Sequence, residues 1–233
     1  MDGIADLGLS VNTDKFKLLS VGSKQSRYKQ TIYIDNAIIE NVDKYKYLGI
    51  IISRDGTNSC DIENAEKSFY SQFYCLYRKF SYIPSNILLY LFTTHCNSFY
   101  GCELWNQGNF SKKSFNSLAI AYHNALKKIF GISRGESNHF LCNTLGIDTF
   151  DHLINKKYIN FLFNLNINLS PCFASFKTYF LKNSFFVKKL NEICDTKYGI
   201  KDILGNDRSA VFARLRFVQE RESCSLPLFL RSQ

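Results

Sequence analysis

Proline is scarce in this chain, with only Pro84, Pro171 and Pro227 among 233 residues. A low proline content permits long helices, because proline removes a backbone donor and disrupts a helix interior. None of the eight cysteines forms a pair separated by two residues, the usual spacing in structural zinc sites and redox motifs. No glycine-rich phosphate loop and no nucleophile triad pattern occurs either.

A long apolar run is also missing. The most apolar stretch, 83–105, is interrupted by polar residues: Thr93, Thr94, His95, Asn97, Ser98 and Glu103. It is too polar to span a bilayer, so a membrane is not an expected partner. Met1-Asp2-Gly3 is not a basic leader and no apolar segment follows it, so we expect no signal peptide. Reduced thiols in an intracellular protein, cytoplasmic or nuclear, are the simplest interpretation of the cysteines.

Aromatic residues and positive charge are abundant. The chain has 21 Phe and 14 Tyr, and its formal net charge is +9. The segment 61–134 carries the largest excess, with eight Lys or Arg against four Asp or Glu. Such a balance favours a polyanionic partner such as nucleic acid.

The first 53 residues read as β structure after a short helical remnant. Residues 1–8 end on glycine and resemble the last turns of a helix whose beginning is absent. Strands are predicted over 16–21, and over 31–34 and 37–39 around an Asp35-Asn36 turn. The segment 42–53 is interpreted as one β-branched strand carrying a Tyr-Leu-Gly step, and as the junction between sheet and helices.

The remaining chain is predicted to be mostly helical. Asp61 is expected to cap a helix whose apolar stripe is Ile62, Ala65, Phe69, Phe73, Leu76 and Phe80. A second helix starts at Pro84, with Leu88, Leu91, His95, Phe99 and Cys102 on one side. A third covers 114–130, turns Phe115, Leu118, Tyr122, Leu126 and Ile129 inward, and ends at Gly131. Further helices are predicted over 137–145, 150–165, 173–190 and 210–222.

Four short motifs give the chain a resemblance to a known family. They are Gly8-Leu9-Ser10-Val11-Asn12-Thr13-Asp14-Lys15, Tyr45-Lys46-Tyr47-Leu48-Gly49, Tyr100-Gly101-Cys102-Glu103-Leu104-Trp105 and the segment from His123 to Ile132. In this order they resemble the end of the palm, the primer grip and the thumb of non-LTR (LINE-type, jockey-like) retrotransposon reverse transcriptases. Each motif is weak alone, and their shared order strengthens the resemblance. The segment 137–153 is also similar to some elements of this kind.

The resemblance implies a fold and a function. The expected fold is α+β: a small antiparallel palm remnant over 1–58, a helical thumb-like region over 59–133 and a helical C-terminal extension over 134–233. By lineage the chain would be an RNA-directed DNA polymerase whose partner is an RNA or DNA template–primer duplex. Fingers and most of the palm would precede Met1 in a full-length protein.

Catalysis is not expected from this chain alone. The family holds two Mg²⁺ ions on palm aspartates, usually in an aromatic-x-Asp-Asp step, and no Asp-Asp pair occurs here. Asp2, Asp6, Asp14 and Asp35 lack the spacing of such a site, so no cofactor is expected in this fragment. Lys15 matches the family lysine proposed to neutralise the leaving pyrophosphate. The alternative for Lys15 is an exposed loop lysine.

Two groups of residues are candidates for nucleic-acid contact. Tyr47, Leu48 and Gly49 match the primer grip; an edge strand with a packed tyrosine and a structural glycine is the alternative. Packing is expected to explain Leu48 under either interpretation. The other group is Lys112, Lys113, Lys127 and Lys128, which are expected near the ends of the third helix and outside its apolar stripe. They would hold phosphates without reading sequence, or form a solvated basic face.

Three further hypotheses stay open. His139 and Cys142, three residues apart, could bind zinc with His152 and Cys172, although the spacing is loose. The chain could be a stand-alone basic helical domain that binds nucleic acid by its backbone. It could also be a non-functional structural remnant of a longer protein.

Overall fold

The β structure consists of short strand pairs. The computed structural model describes residues 16–21, 31–34, 37–105 and 112–167. Within these ranges the strands are β1 (Lys17–Leu18), β2 (Tyr33–Ile34), β3 (Ala37–Ile38), β4 (Glu40–Asn41), β5 (Lys44–Tyr47) and β6 (Ile50–Ser53). β2 pairs with β3 and β5 with β6, both antiparallel, whereas β1 pairs with β4 in parallel. The prediction of one small antiparallel sheet is therefore wrong in detail. A parallel pair needs a crossover, and the chain between β1 and β4 provides it.

The segment predicted as one strand over 42–53 is instead a β-hairpin. β5 and β6 are joined by Leu48-Gly49, and both residues have positive φ angles, 47° and 89°. Two such residues form the hairpin turn whose twist matches that of the flanking strands. A segment rich in β-branched and aromatic residues fits one long strand as well as two short ones, and the turn residue Leu48 is not a typical turn former. The interpretation as a single strand was wrong for this reason.

Five α-helices follow in the described residues: α1 (Ser59–Phe80), α2 (Ser85–His95), α3 (Lys112–Ile129), α4 (Asn138–Leu145) and α5 (Phe150–Ile167). A 3₁₀ turn, Cys102–Leu104, lies between α2 and α3. The molecule is thus a mixed α and β structure with a helical majority. The helices predicted over 173–190 and 210–222 lie outside the described residues, as does the remnant over 1–8.

The apolar stripes of α1 and α3 form the core as predicted. Ile62, Phe69, Phe73 and Leu76 of α1 are buried, and every predicted inward residue of α3 is buried. Gly131 ends α3 at a φ of 64°, while the Ile132 amide donates to the Lys127 carbonyl at 2.8 Å. This is the expected glycine C-terminal cap.

The inner side of α2 differs from the prediction. Leu88 and Phe92 are buried, but His95 is exposed because the helix ends there. Phe99 and Cys102 still reach the core, from the irregular segment that follows α2 and from the 3₁₀ turn, and Phe99 has a positive φ of 36°. The prediction extended the helical periodicity of α2 beyond His95. It was correct in placing Phe99 and Cys102 in the core and wrong in placing His95 there.

An aromatic cluster joins α1, α2, α3 and α5. Phe69 lies 5.6 Å from Phe99 and 6.1 Å from Phe92, centroid to centroid, and Tyr122 lies 5.8 Å from Phe150. Such pairs each contribute about 0.5–1.5 kcal/mol beyond burial of apolar area. Residues from either side of the expected boundary at 133 and 134 share this core. Among the described helices, none is both long and apolar enough to cross a membrane.

Candidate nucleic-acid interface

Two of the resemblance motifs meet in space. A Cβ built on Gly49, in the hairpin turn, would lie 3.3 Å from the Tyr100 ring. A Cβ built on Gly101 would lie 3.0 Å from Cγ1 of Ile50, and Gly101 has a φ of 80°. Glycine at both positions therefore lets the hairpin turn pack directly against the segment before the 3₁₀ turn.

Asp61 joins the second strand of the hairpin to the Tyr100–Trp105 motif. One carboxylate oxygen accepts a hydrogen bond from the Ile51 amide at 2.9 Å, and the other accepts from Nε1 of Trp105 at 2.8 Å. The carboxylate is buried, and both of its partners are buried or partly buried. A carboxylate out of water needs such donors, so this contact fixes β6 and Trp105 to the first turn of α1.

The predicted role of Asp61 as a helix cap is wrong. Asn58 holds the N-cap position and Asp61 is the third residue of the helix. The signal that sequence reasoning overlooked is the spacing: Asp61, Ala65 and Phe69 follow at four-residue steps, which places the acid on the apolar stripe. An acid on a buried stripe indicates a partner elsewhere in the chain.

A groove of about 210 Å³ lies between the hairpin, α1 and the segment after α2. We call it the hairpin groove; its polar lining is Lys46, Asp61, Asn64, Ser68, Gln72, Ser98 and Tyr100. Asn64, Ser68 and Gln72 are four residues apart, so they form one polar row along α1. The arrangement offers one cation, several hydrogen-bond donors and an exposed aromatic ring, together with the Asp61 carboxylate, whose two oxygens already accept from Ile51 and Trp105.

The predicted primer-grip residues lie at the tip of the hairpin. Tyr47 is 58% exposed and Leu48 is 72% exposed, so neither packs in the core. Gly49 lines the groove. The packing expected for Leu48 under either interpretation is therefore wrong, because its side chain lies at the exposed hairpin tip. The alternative of a packed edge strand does not describe Tyr47, whereas Gly49 does have the structural role that this alternative gave it. Lys15 lies outside the described residues.

The four predicted lysines do not form one patch. Lys112 and Lys113 are exposed at the start of α3. Lys127 and Lys128 are at its other end, roughly 24 Å away for a helix of this length. Lys128 is exposed, and its ammonium lies 4.8 Å from the ring centres of both Tyr74 and Tyr77.

Lys127 is not on the outside of α3 as predicted. It is 4% exposed, and its Nζ donates to the carbonyls of Arg134 at 2.8 Å and Glu136 at 2.6 Å. The ammonium thus holds the loop between α3 and α4. The prediction that Lys127 lies outside the apolar stripe is wrong because a long side chain can bury its stem and pair its charge with backbone carbonyls.

His123 has a structural contact in the same motif. Its Nε2 accepts a hydrogen bond from the Phe150 amide at 3.4 Å, at the start of α5. Burial lowers the pKa of His123 from its ordinary 6.5, against the opposing effects of the Ala119 carbonyl and Asp151. The neutral imidazole is the form that can accept this bond.

We expect acid to destabilise the protein through His123. Because the folded pKa is lowered, the unfolded chain takes up the proton first, so this contribution to stability is complete above pH 6.5 and declines below it. One such proton changes the free energy of unfolding by at most about 1.4 kcal/mol per pH unit. Urea unfolding from pH 7.5 down to 5 should show a shallower decline in His123→Gln. The exposed His95→Gln should keep the wild-type slope, and equal slopes in all three proteins would contradict the prediction.

The zinc hypothesis finds no support in the described part of the chain. His139 is exposed, whereas Cys142 is fully buried and burial raises the pKa of its thiol to about 12. Across the described residues no three His, Cys, Asp or Glu side chains gather as metal ligands. His152 is buried in α5, and Cys172 lies outside the described residues.

No protein-family model, curated protein or solved structure matches this chain.

Proposed function

We propose that this chain is the primer–template-contacting part of a non-LTR retrotransposon-type reverse transcriptase, and that it binds a nucleic-acid duplex without polymerising. One observation carries the proposal most: the Tyr47–Gly49 and Tyr100–Trp105 motifs, about fifty residues apart, pack on each other around the hairpin groove. Both motifs contribute to the resemblance, and their contact gives them one common surface.

The hairpin groove has the chemistry of a phosphate-backbone site. Lys46 supplies a point charge, and Asn64, Ser68 and Gln72 supply neutral donors along one row of α1. The one acidic lining residue, Asp61, is buried, and its carboxylate is bound by the Ile51 amide and Trp105. The exposed rings of Tyr47 and Tyr100 can lie against sugars. Contacts of these kinds position a duplex and carry no sequence information. The positive excess over 61–134 supports the same partner.

The residues present do not fit the Mg²⁺ site that the resemblance implies for the full-length family. The best placed buried carboxylate, Asp61, has both oxygens engaged by Ile51 and Trp105. No Asp-Asp pair occurs in the sequence, and the described carboxylates form no group of metal ligands. We therefore assign binding, and no catalytic step, to this chain.

The test measures binding of the purified chain to a short RNA–DNA hybrid over about 50 to about 200 mM salt. We expect a steep negative salt dependence, and Lys46→Ala should reduce the slope of log K against log salt by about 1, equally for unrelated hybrid sequences. Lys156→Ala is the matched control, since it also removes one positive charge, but one already paired with Asp148 at 2.6 Å.

Two further results bear on the alternatives. With Mg²⁺ and deoxynucleotides the same preparation should not extend the primer, and extension would contradict the assignment of binding alone. Absence of binding to the hybrid at low salt would overturn the proposal and favour a non-functional remnant. Binding that Lys46→Ala leaves unchanged would favour a basic helical domain that uses another surface.

A further inference from the structure

A second groove lies on the other side of α1, between α1 and α3. It has a volume of about 250 Å³, and its floor is formed by Phe73, Ala121 and Ala125. Tyr70 and Tyr74 stand along its α1 edge, with Lys128 and Arg134 opposite. We call it the tyrosine groove. The hairpin groove is lined by Asn64, Ser68 and Gln72 of α1. The apolar stripe of α1 lies between these three residues and the two tyrosines, so the two grooves lie on different faces of the helix.

The two tyrosines present parallel aromatic faces. Their ring centres are 6.1 Å apart with an angle of 16° between the planes. Tyr70 is 36% exposed and Tyr74 is 48% exposed, so part of each ring is open to solvent. Rings fixed by a helix lose little conformational freedom when a flat ligand stacks on them.

Positive charge surrounds these rings. Four exposed residues of α1 form one row, because they are spaced three, four and four residues apart: Lys67, Tyr70, Tyr74 and Arg78. Lys128 approaches Tyr74 from α3, and Arg134 lines the same groove as Tyr70. Glu66 is the acidic group acting on Tyr70, and its carboxylate already accepts a hydrogen bond from Ser117 at 2.7 Å.

Aromatic faces framed by cations suit unpaired nucleotides. Bases stack on the rings while phosphates contact Lys and Arg, with little dependence on sequence. A duplex cannot use the rings in this way, because its bases are already stacked on one another. The groove is also smaller than the usual pocket of an enclosed small molecule.

We propose that the tyrosine groove is a binding site for single-stranded nucleic acid, in which Tyr70 and Tyr74 stack on unpaired bases and Lys67, Arg78, Lys128 and Arg134 hold the phosphates. The site goes beyond the duplex contacts proposed above, because it lies on a different face of α1 and takes a different form of nucleic acid.

The experiment compares two fluorescein-labelled probes of equal length, oligothymidylate and an abasic oligonucleotide with the same phosphates. Fluorescence anisotropy of the full chain gives both affinities. Wild type should bind the thymidylate probe at least about tenfold more tightly, since stacking on each tyrosine is worth about 5- to 150-fold. Tyr70→Ala/Tyr74→Ala should lose this preference, and Tyr70→Phe/Tyr74→Phe should retain it.

A matched control is available. Tyr82 and Tyr90 are 81% and 68% exposed and lie outside the groove, so Tyr82→Ala/Tyr90→Ala should keep the preference. Equal wild-type affinity for the two probes would overturn the proposal, as would a preference that survives loss of Tyr70 and Tyr74. The duplex proposal is judged separately, because Tyr70→Ala/Tyr74→Ala should leave binding of the RNA–DNA hybrid unchanged.

Discussion

Replacing Asp61 by alanine is expected to lower the free energy of unfolding by about 3 kcal/mol and to release the hairpin from α1. The substitution leaves Nε1 of Trp105 and the Ile51 amide without their acceptor. Each buried donor that loses its partner costs about 1–3 kcal/mol. The variant no longer has the free-energy cost of burying a carboxylate, and this offsets part of the loss from the two donors. Against a total stability of about 5–15 kcal/mol for a typical protein, this is a large loss.

The single tryptophan reports on the same event. Trp105 is 6% exposed in the native protein, so release of the hairpin should shift its emission to the red before global unfolding in urea. Glu63→Gln is the matched control, because it removes an exposed acid two positions further along α1, keeps an acceptor for the Ser114 hydroxyl and should change stability by less than about 0.5 kcal/mol.

A double-mutant cycle isolates the contact itself. Asp61→Asn retains an acceptor for one donor but presents an amide N–H to the other. Its loss of unfolding free energy should therefore be smaller than that of the alanine variant. Trp105→Phe keeps an aromatic ring and removes the indole donor. The coupling between the two should be about 1–3 kcal/mol. A coupling near zero, or a loss below about 1 kcal/mol in Asp61→Ala, would show that the carboxylate does not hold the hairpin.

The second large effect is expected at Lys127. Lys127→Met keeps most of the apolar stem but leaves the carbonyls of Arg134 and Glu136 without their donor. Hydrogen bonds to a charged group contribute about 1.5–3 kcal/mol each. The variant also no longer has the free-energy cost of burying an ammonium, which offsets part of this loss. We therefore expect the free energy of unfolding to fall by about 3 kcal/mol. Urea unfolding measures the difference.

Lys128→Met is the neighbouring control and should behave in the opposite way. Its ammonium is exposed over Tyr74 and Tyr77, where a cation–π contact contributes about 0.5–1 kcal/mol. Loss of this charge should weaken binding of single-stranded nucleic acid, while the free energy of unfolding falls by no more than about 1 kcal/mol. A loss of stability as large in Lys128→Met as in Lys127→Met would contradict the structural role given to Lys127.

Sequence periodicity predicted the helices well and the strands poorly. The bounds of α3 differ from the expected ones by two residues at the start and one at the end, since an apolar stripe over five turns is a strong local signal. The hairpin around Leu48 was not recognised because leucine rarely adopts the positive φ that this turn requires. The pairing of β1 with β4 depends on segments more than twenty residues apart, and the local alternation contains no information on it.

The sequence predicted which residue types form the candidate site better than it predicted where their side chains lie. Tyr47, Leu48 and Lys128 are exposed, as a contact with nucleic acid requires. Lys127 has the same local sequence context as Lys128, yet it is buried. The difference arises from the loop over 134–136, whose carbonyls face the end of α3 and attract one ammonium inward.

By itself, the sequence determined the helical majority, the inward faces of α1 and α3, the glycine that ends α3 and the positive excess of the central region. These features follow from neighbours three or four residues apart and from composition. Only the tertiary structure decided that Asp61 binds Ile51 and Trp105, that Gly49 and Gly101 bring two motifs together, and that two grooves flank α1. The partners of Asp61 lie 10 and 44 residues away along the chain, so folding of the whole core is what brings these groups into contact.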